Sequence, residues 1–233
     1  MGEIIEYQRP DGQKARGYLA TPAGSANAKA AGVVVAQEWW GLNEQIKGVA
    51  GRLAAAGFRA LVPDLYRGKV AKNADEAGKL MGGVNWPDAV EQDLRGALNH
   101  LKSAPGATAT GAGARVAVLG FCMGGGLTLH AASRLSEPEA AVCFYGIPPE
   151  SAADPRRIRA PLLCHFARKD EWCTPAAVDQ LEAKLKEGKV SFELFRYDAQ
   201  HAFCNEKRPE VYDAAAAKLA WERTLAFLKR NLG

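Results

Sequence analysis

The sequence predicts an α/β fold: a mostly parallel central sheet with helices on both faces. Three observations predict it. Short, near-continuous apolar runs alternate with longer amphipathic stretches along the 233 residues, the pattern of strands buried on both sides by crossover helices. Hydrophobic residues make up 48% of the chain, enough for a substantial core at this length. One apolar run, "VAVLGFCMGGG" at 116–126, passes directly into a glycine-flanked turn, as a buried strand entering a helix would. One domain, residues 1–233, is expected.

The elements follow in order. "EIIEY" near the start reads as an edge strand and 15–20 (ARGYLA) as its neighbour. The runs 32–36 (GVVVA), 58–62 (FRALV), 115–119 (RVAVL), 140–145 (AAVCFY), 161–166 (PLLCHF) and 190–197 (VSFELFRY) supply six further strands. Helices are expected over 43–56, 87–103, 124–135, 175–187 and 209–231. Gly57 stops the first, and Pro87 suits the opening turn of the second. The small and polar stretches 22–30 and 103–114 read as surface loops. Residues 64–86 are irregular and stand where an insertion or lid could lie.

Composition excludes several classes. With 30 basic and 26 acidic residues the formal charge is +4. The charges are scattered, so no nucleic-acid or membrane-surface partner is expected. The N-terminus "MGEIIEYQRP" has no secretory pattern, and Glu6 fails the myristoylation pattern. No apolar run reaches the roughly 18 residues of a membrane span. The expectation is a cytoplasmic protein acting as a monomer. Cys143 and Cys164 sit in strand runs and read as core. His201 and Cys204, three apart, form too small a ligand set for zinc, so no metal is expected.

"GFCMG" has the form glycine–x–nucleophile–x–glycine, with Cys122 at the nucleophile position. Glycines two before and two after leave room for backbone that a sharp strand-to-helix turn brings close. The thiol then sits at a helix N-terminus, which favours thiolate. A buried cysteine before a Gly-rich helix start is the alternative. A phosphate loop is not, because the GK[ST] ending is missing.

A thiol nucleophile needs a base, and the base an orienting carboxylate. Asp170 follows the strand "PLLCHF", and His201 follows "VSFELFRY". Both fall at C-terminal strand ends, where open α/β sheets gather their sites. Glu171 and Asp198 stand close to these positions, but Asp170 comes directly after its strand. His100 and His130 read as helix residues, and His165 ends a strand. A second candidate loop is "QEWWG" at 37–41, with Glu38 just past a buried strand. In this type of fold that loop gives one oxyanion-hole N–H, and the residue after the nucleophile, Met123, gives the other.

The chain resembles the dienelactone hydrolase (carboxymethylenebutenolidase) family, within the α/β-hydrolase fold. The resemblance rests on "QEWWG" (37–41), "PDLYRG" (63–68), "GFCMGG" (120–125), "CFYG" (143–146), "KDEW" (169–172), "QHAF" (200–203) and "AWERTLAFL" (220–228). It implies a Cys122–His201–Asp170 triad, with Glu38 touching the thiol at rest and helping its deprotonation. It also implies an oxyanion hole from the N–H groups of Trp39 and Met123. Substrate contacts are expected from Trp40, Tyr145, Phe203 and Asn205. Family members clamp a substrate carboxylate with two arginines. Here one of those positions is Asn205, and the other region holds Lys72, Gly78, Lys79 and Met81, so little preference for free carboxylates is expected. The function implied is opening of a small lactone or ester through a thioester, with no cofactor. A general carboxylesterase acting on neutral esters is the first alternative. A thiol redox or interaction protein on a hydrolase scaffold is the second.

Overall fold

A computed structural model describes residues 2–24, 30–103 and 114–233. The predicted loops 22–30 and 103–114 lie largely outside the described residues. Eight strands form one sheet: β1 (Gly2–Gln8), β2 (Lys14–Ala20), β3 (Gly32–Ala36), β4 (Arg59–Pro63), β5 (Val116–Phe121), β6 (Ala140–Phe144), β7 (Leu162–Lys169) and β8 (Phe192–Gln200). Their spatial order is β1-β2-β4-β3-β5-β6-β7-β8. The β1–β2 and β2–β4 pairs are antiparallel, and every pair from β4–β3 onward is parallel. The central strands β3 to β6 are buried along their whole length. This is why they read as continuous rather than alternating apolar runs.

Seven α-helices join them among the described residues: α1 (Glu44–Ala55), α2 (Ala74–Gly82), α3 (Trp86–Asp88), α4 (Arg95–Lys102), α5 (Met123–Arg134), α6 (Pro175–Glu187) and α7 (Ala214–Leu232). One face of the sheet packs Leu98 and Leu101 of α4, Leu127 of α5 and Leu181 and Leu185 of α6. The other packs Ile46, Val49 and Leu53 of α1 with Phe227 and Leu228 of α7. Burying each such side chain contributes roughly 1.5–3 kcal/mol. Caps set the starts. Asn43 accepts from the Ile46 N–H at 3.1 Å, Thr174 from Ala177 at 3.3 Å and Asp213 from Ala216 at 2.9 Å. Gly57, at φ 99°, ends the α1 turn in the left-handed region where a side chain would strain.

Three expectations are corrected. Residues 64–86 are not uniformly irregular, because Asn73 caps α2 by accepting from Glu76 at 2.9 Å. Only Ala77 of that helix is buried, so it lacked the apolar stripe that marks the others. The expected helix 87–103 is broken into α3, a π-helical segment (Ala89–Leu94) and α4. The last helix starts at Ala214 rather than 209 because Asp213 is its cap. No helix among the described residues is long and apolar enough to cross a membrane.

Candidate active site

Cys122 occupies the turn between β5 and α5 at φ 54°, ψ −118°. A non-glycine residue held there costs about 1–3 kcal/mol, and the surrounding backbone imposes it. The Cys122 N–H donates to the Phe144 carbonyl at 3.0 Å, and its own carbonyl accepts from Gly126 at 3.1 Å. Glycine is required because this turn is crowded. A Cβ on Gly120 would lie 2.1 Å from the Gly124 carbonyl oxygen, and one on Gly124 2.2 Å from that of Ala36. Tyr145 (φ 36°) and Ala202 (φ 63°) are also left-handed, beyond the ends of β6 and β8. Three strained turns therefore meet at one end of the sheet.

The side chains form a relay. His201 Nε2 lies 3.2 Å from Cys122 Sγ, and His201 Nδ1 lies 2.8 Å from Asp170 Oδ2. The other Asp170 oxygen accepts from the N–H groups of Trp172 and Cys173, each at 2.8 Å, which fixes the carboxylate. Burial opposes the charged imidazole, but the bonds to Asp170 and Cys122 outweigh it and raise His201 to about 10. Burial pushes the Cys122 thiol up, against the pull of His201. A basic imidazole beside a thiol is suited to take its proton. The Met123 N–H pulls the thiol down, more weakly than burial and His201 act on it.

The other expected residues fall into two groups. Trp39 faces the thiol across a narrow cleft lined by Glu38, Trp39, Met81, Cys122, Trp172, His201, Ala202 and Arg208. Trp40, half-buried, packs edge-on against Trp39 at 5.3 Å. Tyr145 and Phe203 are fully buried, with ring centroids 5.4 Å apart. Asn205 is buried too, and its amide donates to Glu38 Oε2 at 2.8 Å. Tyr145, Phe203 and Asn205 therefore stand behind the residues that line the cleft. Sequence position brings a residue to the right loop but does not say which layer of that loop faces out.

Glu38 is held by two of these buried residues. Its Oε1 accepts from the Tyr145 hydroxyl at 3.2 Å and its Oε2 from Asn205, while the thiol's partner is His201. Burial raises the Glu38 carboxyl despite these donors. A carboxyl raised on folding binds its proton more tightly in the folded state. Its contribution to stability is full below the ordinary carboxylate range and declines as pH climbs through the raised value. Glu38→Gln is therefore expected to fold, with a Tm that gains on wild type between pH 4 and 8. Thermal melts across that range check it. Iodoacetamide labelling of Cys122 in the same variant should not slow, because the proton acceptor in reach is His201.

Met81, Trp172, Ala202 and Arg208 line the cleft without having been singled out as contacts. Arg208 lies seven residues after His201, three beyond the Asn205 position, and its Nε donates to Glu210 at 2.8 Å. Lys72 is exposed, and Lys79 lines a separate groove with Arg67 and Asp93. Asp170, Cys173 and His201 hold ligand-type atoms within 4.8 Å of one another. Their partners are already the relay and the Trp172 and Cys173 N–H groups, so the cluster belongs to this site. Of the other histidines, His165 is fully buried between the Tyr197 hydroxyl (2.9 Å) and Thr224 (3.1 Å). Burial drives it down to about 3.

A parallel sheet with a thiol on its strand-to-helix turn, and a histidine and carboxylate at neighbouring strand ends, defines an α/β-hydrolase-fold hydrolase. The dienelactone hydrolase family model matches residues 15–232, and the chain belongs to that family. "Protein usf" of Aquifex pyrophilus is 37% identical over 239 residues, covering 100% of both chains. "Putative carboxymethylenebutenolidase" of Aquifex aeolicus is 34% identical with the same coverage. Among solved structures, the "Putative Dienelactone Hydrolase" of Klebsiella pneumoniae superposes with TM-score 0.81 at 25% identity, covering 97% of this chain and 98% of that one.

Proposed function

We propose that the protein hydrolyses a small lactone or ester through a Cys122 thioester. The observation that carries the reading is the continuous Asp170–His201–Cys122 relay at 2.8 and 3.2 Å. His201 takes the thiol proton, and the thiolate adds to the substrate carbonyl. The developing oxyanion is held by the N–H groups of Trp39 and Met123. The acyl C–O bond breaks, and the leaving oxygen takes the proton from His201. In a lactone that oxygen stays tethered to the acyl group. Water then gives its proton to His201, adds to the thioester and releases the acid as the C–S bond breaks and the thiolate recovers the proton. The five cysteines are all free thiols, which supports a reducing, cytoplasmic setting. Turnover of an activated aryl ester before and after alkylation of the thiol tests the reading.

The cleft favours a largely neutral substrate. Its walls are Trp39, Met81, Trp172 and Ala202, with Arg208 the arginine among its lining residues. Arg208 already donates to Glu210, and its side chain is 30% exposed. A solvated, partly engaged guanidinium gives up to about 1 kcal/mol, near fivefold. Matched esters differing only in a remote carboxylate should therefore differ by about fivefold or less in kcat/KM. Arg208→Gln and added salt should each remove the difference. A preference above about tenfold would assign the pocket to carboxylate substrates instead, since that is the scale of a hydrogen bond to a charged group.

A further inference from the structure

The segment after β4, Asp64 to Gly68, is a turn tied down at both ends. Asp64 Oδ1 accepts from the Tyr66 N–H at 3.2 Å and Oδ2 from the Gly68 N–H at 2.6 Å. Arg67 (φ 55°) and Gly68 (φ 91°) are both left-handed. The strain at Arg67 is held by its guanidinium. Nη1 donates to the Asp64 carbonyl at 3.0 Å, and Nη2 donates to both oxygens of Asp93 at 3.0 and 2.8 Å. Asp93 lies in the π-helical segment, a geometry that recurs at functional sites. Its side chain is 3% exposed, and it also receives Arg9 at 3.3 Å.

This anchoring aims Tyr66 at the cleft from below. Its buried hydroxyl donates to the Trp39 carbonyl at 3.0 Å and lies 3.5 Å from Met123 Sδ. The chain beyond it is stitched to the same loop. Ala71 N–H donates to the Trp40 carbonyl at 3.0 Å, and Val70 bridges Gly41. Gly41 is at φ 95°, and a Cβ there would lie 2.8 Å from the Lys69 carbonyl oxygen and 3.1 Å from the Tyr66 ring. Loop and turn are therefore in direct contact. One hydroxyl thus touches both residues whose backbone N–H groups the mechanism uses.

We propose that Tyr66 is a positioning residue that sets the spacing of the oxyanion hole, by seating its hydroxyl on the Trp39 carbonyl and the Met123 sulfur. The inference rests on the thioester reading above. Burial holds the Tyr66 phenol well above its ordinary value, so it remains a donor across the working pH range. An oxyanion donor lost outright costs about 10²–10³ in kcat. A donor pair that is loosened but present loses less.

The test is Tyr66→Phe, which keeps the ring and removes the hydroxyl. The expected result is a fall in kcat of about ten- to thirtyfold, a fraction of a full donor's loss, with KM unchanged. Affinity for a trifluoromethyl ketone, whose thiol adduct places an oxyanion in the hole, should fall by the same factor as kcat. Iodoacetamide labelling of Cys122, which develops no oxyanion, should keep its wild-type rate and pH profile. Arg67→Gln releases the turn from Asp93 and should show the same pattern at a smaller size. It carries the test if Tyr66→Phe does not fold. An unchanged kcat would overturn the proposal. So would a labelling rate that falls with kcat, or a ketone affinity that does not. Wild-type protein whose turnover survives alkylation of Cys122 would instead overturn the thioester reading.

Discussion

Cys122→Ala is expected to lower kcat/KM for an activated aryl ester by at least about a thousandfold, the scale seen when an enzyme nucleophile is removed. The turn at φ 54° lifts the thiol to 3.2 Å from His201, and among the described residues no other sulfur is hydrogen-bonded to a histidine. Cys143 and Cys164 are fully buried side by side on β6 and β7. Cys173 and Cys204 are 7% and 8% exposed, and burial pushes both thiols up. Limiting iodoacetamide should therefore label Cys122 first and abolish turnover in proportion. Loss of activity with the label on another cysteine would refute the assignment. Absence of ester turnover in the wild-type protein would favour the redox or interaction reading over hydrolysis.

His201→Ala is expected to lose at least about a hundredfold in kcat/KM, the lower end for a positioned acid–base group. Asp170→Asn should also impair turnover, by releasing the imidazole from its orientation. The contrast is His165→Ala. Both ring nitrogens of His165 are bonded inside the core, away from the thiol, so this variant should lower Tm and leave kcat of the folded enzyme near wild type. Equal losses in the two histidine variants would mean that the base is wrongly chosen. The pH profile gives a second check. His201 is raised to about 10 by Asp170 and Cys122, which overcome the opposing effect of burial. The proton-accepting imidazole therefore grows as pH rises, and kcat/KM should still be climbing above pH 7. An acid limb centred at the ordinary histidine value of about 6.5 would contradict that electrostatic picture.

The strands were legible because burial on both faces writes itself as unbroken apolar runs. β3 was expected at its observed bounds, and the others within a few residues. The helix over 175–187 was also matched, because an amphipathic stripe and a Thr–Pro start both mark it. The π segment was not, because Ala89–Leu94 has ordinary helical composition, and the partners of its Asp93, Arg9 and Arg67, come from elsewhere in the chain. α2 was missed for a related reason: it buries one residue and carries almost no periodic signal.

At the site, the sequence by itself determined the chemical groups and their order along the chain. A cysteine between spaced glycines, an aspartate and a histidine each followed a strand, and parallel strands deliver their C-terminal ends to one edge. Tertiary structure alone decided which side of each loop faces the cleft. Asn205 and Tyr145 turn inward to hold Glu38, while Arg208 and Trp172 turn outward to line the approach to Cys122. Tyr66 reaches the Trp39 carbonyl across 27 positions of sequence. Those choices follow from packing against residues distant in the chain. A burial pattern read along one strand or loop contains no information about them.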